Sequence, residues 1–179
     1  DAGISCIAIA DGYRAAAQSV VERLRGEMWE HRGDHLYDHE PLADAVARAK
    51  GIVDGPVILL DHADNTGSGG NQDVMAVIGE VIRQGLDDVA VGGLWDPDAV
   101  QRMTQAGIGA TLTLELGGKT DMPSIDRAGE PLLVTGKVTV LTDGEWVVRG
   151  PMYHGLTVQM GPTAVLDTGK MQIVVVSRH

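Results

Sequence analysis

The run Pro56-Val57-Ile58-Leu59-Leu60 constrains this chain more than any other segment. Five consecutive apolar residues, followed at once by Asp61-His62-Ala63-Asp64-Asn65-Thr66-Gly67-Ser68-Gly69-Gly70, read as a strand buried on both faces that ends in a glycine loop. The residues after it, Asp73 to Gln84, carry Val74, Val77, Ile78, Val81 and Ile82 on one side of a helix. Strand, loop and helix in that order predict an α/β fold, because a strand hidden on both faces needs helices to cover it.

The neighbouring segments repeat the alternation. Ser5 to Ala10 reads as a short strand closed by Asp11-Gly12. Tyr13 to about Trp29 reads as a helix with Ala16, Val20, Val21, Leu24 and Met28 at helical spacing. Pro41 opens a helix to about Lys50, Val89 to Trp95 is a strand, and Asp96-Pro97 is an N-cap with proline at the first helical position. Thr111 to Leu116 follows as a strand, closed by Gly117-Gly118. Beyond it Leu132 to Val140, Glu145 to Arg149, Gly155 to Gln159 and Met171 to Ser177 read as strands, with Thr142-Asp143-Gly144-Glu145 as a hairpin turn. The expected architecture is therefore α/β, with βα units forming a mainly parallel sheet over residues 1–118 and a β-rich region over 119–179. A length of 179 residues fits one domain, or one domain with an appendage.

Charge and composition exclude several functions. Fourteen Lys and Arg against 25 Asp and Glu give a formal net charge of −11, which repels phosphate backbones and anionic lipid surfaces. Three Trp, three Tyr and no Phe leave few rings on which bases could stack. No apolar run approaches the roughly 20 residues that cross a bilayer. The lone cysteine, Cys6, cannot form an internal disulfide, and within Ile4 to Ala10 it reads as a buried thiol. A reducing, cytoplasmic setting is compatible with these features.

Candidate chemistry concentrates in the glycine loop. In open α/β sheets ligands bind beyond the carboxyl ends of strands, where glycines admit a close backbone approach and amides favour anions. Gly67, Ser68, Gly69 and Gly70 are thus candidate substrate or anion contacts. No Lys follows the glycines and no GxGxxG occurs, so neither nucleotide-binding loop is present. His62 and Asp64, two apart, face the same way on an extended chain and could be two ligands of a zinc ion. The competing reading is that Asp64 and Asn65 cap the loop through backbone amides. A second cluster, His31, Asp34, His35, Asp38 and His39, could hold a divalent metal or be a solvated linker. Asp96 reads as a helix cap, His154 as an exposed loop histidine, and Met28, Met103 and Met160 as core fillers.

Asp61 to Gly70, with Asp73 after it, resembles the "aDNPGGG…D" signature of the microcystinase C (MlrC) family of zinc metallopeptidases. Further segments fit the family in order: Trp95-Asp96-Pro97, Ala106 to Ala110, Leu116 to Lys119, Gly129 to Leu132, Thr142 to Gly144 and Gly161 to Val165, with Trp29 and Arg32 before them. Thr66 and Ser68 stand where many relatives have Pro and Gly. The resemblance implies the C-terminal domain of a zinc-dependent peptide hydrolase. Such a domain has a preceding α/β domain of the same protein as its partner, a peptide as substrate, and zinc ligands mainly in that preceding domain, which this sequence lacks. It also implies that the chain stops short of the family's usual end, in keeping with the missing initiator Met. In that setting Asp64 and Asn65 are the expected catalytic-site residues, Gly67 to Gly70 the anion-binding wall, and His62 the one candidate metal ligand. The competing expectation is a non-catalytic α/β domain that binds an anion or packs on a neighbour.

Overall fold

The computed structural model describes residues 4–36 and 38–179. They divide into two units, residues 1–40 and 41–179.

The first unit is built on one α-helix, α1 (Arg14–Glu30), none of whose residues is fully buried. Of the apolar residues at helical spacing, Val21, Leu24 and Met28 are partly covered, and Ala16 and Val20 are exposed. The Cys6 thiol donates to the Met28 sulfur at 3.1 Å, so the cysteine is part of this small contact. After α1 the Arg32 guanidinium lies 4.5 Å over the Trp29 ring. Ser5 to Ala10 is extended but pairs with nothing among the described residues, and Ile7 and Ile9 are exposed. The strand expected there is absent as a ladder.

The second unit runs α2 (Leu42–Gly51), α3 (Ala76–Gln84), β1 (Val89–Trp95), α4 (Pro97–Ala106), β2 (Thr111–Leu116), β3 (Leu132–Thr142), β4 (Glu145–Val147), β5 (Thr157–Gln159), β6 (Thr163–Asp167) and β7 (Met171–Val176). Five strands form one sheet in the order β1-β7-β6-β3-β2, and β4 pairs with β5 apart from it. The α/β class and the strand-rich C-terminal region stand as expected. The strand directions differ from a mainly parallel sheet. Only β1–β7 is parallel, with Val89 beside Met171 and Trp95 beside Val176, and the other three junctions are antiparallel. The physical reason is that the β-rich region folds back into the sheet rather than following it. Thr168 to Lys170 is too short a link to return the chain for a parallel pairing of β6 with β7. Strand β6 has no counterpart in the sequence reading, and Pro56–Leu60 lies outside every ladder.

Alternation shows where the core sits. Along β3, Val134, Gly136 and Val138 are buried while Leu133, Thr135 and Lys137 face outward, and β7 buries Met171, Ile173 and Val175. Val100 and Met103 of α4, with Ile78 and Val81 of α3, pack into the same cluster, to which α2 contributes Val46. Gly136 is there because a Cβ would stand 2.8 Å from Leu166 Cγ and 2.9 Å from Asp167 O. The Asp143-Gly144 turn forms with Gly144 at φ 74°, but β4 leaves β3 and pairs with β5 instead. Among the described residues no helix is long and apolar enough to cross a membrane.

Candidate active-site loop

Segment 61–73 is held as a closed loop by its own polar groups. The Asn65 side-chain oxygen accepts the Gly67 amide at 2.8 Å and caps a single turn of 3-10 helix, Thr66–Ser68. The Ser68 and Gly70 amides donate to Asn65 O at 2.9 Å, and Gly69 N donates to Thr66 O at 3.0 Å. Gly69 ends the turn at φ 88°, and at Gly70 a Cβ would lie 2.5 Å from the Asp64 carbonyl carbon. Gly70 therefore permits a tight backbone crossing, while nothing stands within 4 Å of the Cβ position at Gly69.

Asp64 staples the loop shut. Its Oδ1 accepts the Gln72 amide at 2.8 Å and its Oδ2 the Val74 amide at 2.9 Å, so both carboxylate oxygens serve the backbone. Asp64 and Asn65 thus both cap backbone amides of the loop. The four amides from Gly67 to Gly70 are engaged inside the loop. The Asn65 amino group and the hydroxyls of Thr66 and Ser68 are the donors its exposed residues present outward. Asp61 is half-buried, and that burial first, then the nearby Asp64 charge, raises its carboxyl above the ordinary aspartate range. His62 is exposed. The loop brings Asp61, His62 and Asp64 together in sequence, yet no group of three His, Cys, Asp or Glu among the described residues could hold a metal ion. The other candidate cluster becomes a local pair, His31 Nδ1 to Asp34 Oδ2 at 2.9 Å, beside the 3-10 turn Arg32–His35. His154 is exposed, its Nδ1 3.2 Å from Arg149 O.

The loop sits at the carboxyl end of the parallel β1–β7 pair. Trp95 N donates to Gln72 O at 2.7 Å, and the Gln72 side-chain amide donates to Gly93 O. His179 stacks on Trp95 with ring centroids 4.7 Å apart, and its Nδ1 is 3.2 Å from Gln72 Oε1. Beside them two buried aspartates organise the next turn. Asp96 accepts Ala99 N at 3.0 Å as the cap of α4, Gly117 N at 2.9 Å and Lys119 Nζ at 2.8 Å. Asp73 accepts the Lys119 and Thr120 amides on Oδ2 at 3.0 and 2.9 Å, while its backbone carbonyl accepts Gly118 N at 2.5 Å. Segment 117–120 is therefore clamped between two carboxylates. The cap at Asp96 was legible from Asp-Pro, but the clamp was not, since nothing local marks a carboxylate that serves a segment 21 or 46 residues away.

The model of the family described as "MlrC C-terminus" matches residues 59–179, beginning just before the loop. Microcystinase C of Sphingomonas sp. is 35% identical over 127 residues, which are 71% of this chain and 24% of that protein. The chain thus spans about a quarter of that relative's length. In the crystal structure of a Mesorhizobium sp. BNC1 protein whose name proposes a metallopeptidase, the same fold covers 91% of this chain and 32% of that one. The TM-score is 0.74 and the identity 21%. With the family match running over two-thirds of its length and through the whole loop and sheet, the chain belongs to the MlrC C-terminus family.

Proposed function

We propose that the chain is the C-terminal part of a zinc-dependent peptide or amide hydrolase of the microcystinase C kind, and that its loop 61–70 forms one wall of the substrate cleft. The observation that carries this reading is the stapled loop. It is the segment that bears the family signature, and it stands at the carboxyl ends of β1 and β7, the edge at which α/β sheets bind ligands. Of the relative's length, 24% is matched, which supports a partner domain elsewhere in the same polypeptide.

The described residues do not fit a complete zinc site. A zinc ion needs at least three protein ligands, and Asp64, beside His62, has both oxygens on backbone amides. The loop's own part is to bind and orient. The Asn65 amino group and the Thr66 and Ser68 hydroxyls donate to a peptide carbonyl or carboxylate, while Asp64 and the engaged glycine amides hold those donors in place. That engagement also favours a second reading, a scaffold domain in which the loop merely packs on a neighbour.

The test is peptide hydrolysis by the full-length polypeptide carrying this chain, with Asn65→Ala, Thr66→Val and Ser68→Ala. Loss of about one hydrogen bond to substrate per variant predicts a fall in kcat/KM of roughly tenfold each. Unchanged kcat/KM in all three refutes the wall and leaves the scaffold.

A further inference from the structure

We infer that residues 56–60 are a strand of a second sheet, whose adjoining strand is supplied by another part of a longer polypeptide. This rests on the reading that the chain is one portion of a larger protein, and it names the contact by which the two portions join.

The segment has the chemistry of a buried strand and the surroundings of an uncovered one. Relative exposure alternates along it: Val57 41%, Ile58 77%, Leu59 37%, Leu60 85%. A period of two is the signature of extended backbone. Val57 and Leu59 are the less exposed pair, and Ile58 and Leu60 the more exposed one. Among the described residues, none of Val57, Ile58, Leu59 and Leu60 makes a backbone hydrogen bond. Four apolar residues with unpaired N–H and C=O groups form a template for strand addition. Pro56 is no obstacle, because a first-position proline lacks only a donor that the ladder's end can forgo. The first unit repeats the pattern independently: Cys6 and Ala8 are partly covered while Ile7 and Ile9 are 85% and 95% exposed.

Two observations select the occupant. The matched stretch is 24% of the Sphingomonas relative and 32% of the Mesorhizobium chain, so most of each related polypeptide is available to supply a sheet edge. A second copy of this chain is disfavoured by charge. Each copy carries −11, and antiparallel pairing of two 56–60 segments brings Asp54 of each toward Asp61 and Asp64 of the other. Since Leu60 runs directly into Asp61, the added strand would fix the root of the glycine loop.

Hydrogen exchange read by mass spectrometry tests this on two proteins, the 179-residue chain and the full-length polypeptide that carries it. In the 179-residue chain the amides of Val57 to Leu60 are expected to exchange at the rate of open chain. In the full-length protein they should slow by about a thousandfold. Ile58→Lys should leave the urea midpoint of the 179-residue chain unchanged and lower that of the full-length protein. Free exchange of these amides in the full-length protein overturns the inference. So does protection already present in the monomeric 179-residue chain, or protection that grows with its concentration, which would identify a second copy. A full-length protein that hydrolyses peptide while residues 57–60 exchange freely refutes the strand alone. Protection without any peptide hydrolysis refutes the proposed function and leaves the strand standing.

Discussion

Replacing Asp96 by Ala removes the acceptor that joins α4 to the turn after β2. Three donors lose their partner: Ala99 N at 3.0 Å, Gly117 N at 2.9 Å and Lys119 Nζ at 2.8 Å. Hydrogen bonds to a charged group contribute about 1.5 kcal/mol each at the low end of their range. The Lys119 side chain is 32% exposed and can turn to water, so its share falls to about 0.5 kcal/mol, whereas Asp96 and Gly117 are buried. The expected loss is about 3.5 kcal/mol. With a urea dependence of about 2 kcal/mol per molar, the midpoint falls by roughly 1.7 M. Asp96→Asn keeps one acceptor and should lose about half as much, and Lys119→Met should lose less than about 1 kcal/mol. Urea titration followed by circular dichroism measures all three on the 179-residue chain. A loss below about 1 kcal/mol for Asp96→Ala, or an equal loss for Lys119→Met, would refute the assignment of the backbone clamp as the dominant contribution.

Other expectations are equally direct. Asp64→Ala should free the Gln72 and Val74 amides and accelerate their hydrogen exchange by at least about tenfold, leaving amides of β3 and β6 unchanged. Gly70→Ala should open the loop, because its Cβ cannot share space with the Asp64 carbonyl carbon 2.5 Å away; proteolysis within 64–72 should rise while the sheet stays folded. Glu80 accepts from Arg83 and Gln84, and chiefly the Arg83 hydrogen bond lowers its carboxyl to about 2. A depressed acid stabilises the fold above its unfolded value near 4.5, and that contribution disappears as pH falls toward 2. Carboxyl NMR should show the low midpoint, and Arg83→Met should return it toward the ordinary glutamate range.

Local signals carried most of the secondary structure and part of the site. Apolar spacing located α1 and α3, Pro41 the start of α2, and Asp96-Pro97 the capped start of α4, because a helix declares itself within a few residues. The capping role of Asp64 and Asn65 was legible for the same reason. Strand direction was not, since nothing inside Met171–Val176 says that its neighbours will be β1 and β6. Thr163–Asp167 escaped notice because five residues between turn signals give little periodicity. Ser5–Ala10 and Pro56–Leu60 show the reverse case. Their composition predicts strands, yet a ladder needs a partner, and none of the described residues supplies it. Asp73 lay in the signature without an assigned role, as its carboxylate acts on amides 46 and 47 residues further on.

The place of β7 between β1 and β6 governs how the molecule can be made. Synthesis releases β1 early, but its sheet neighbour follows roughly eighty residues later, so the β1–β7 ladder cannot begin to close until Met171–Val176 is out. A ribosome whose chain has not yet released β7 therefore exposes the apolar faces of β1, β2 and β3 together. Cutting the chain before Met171 removes an inner strand of the sheet. Truncation there should produce aggregates rather than a smaller folded protein, and stalled synthesis should recruit chaperones most strongly just before Met171 emerges.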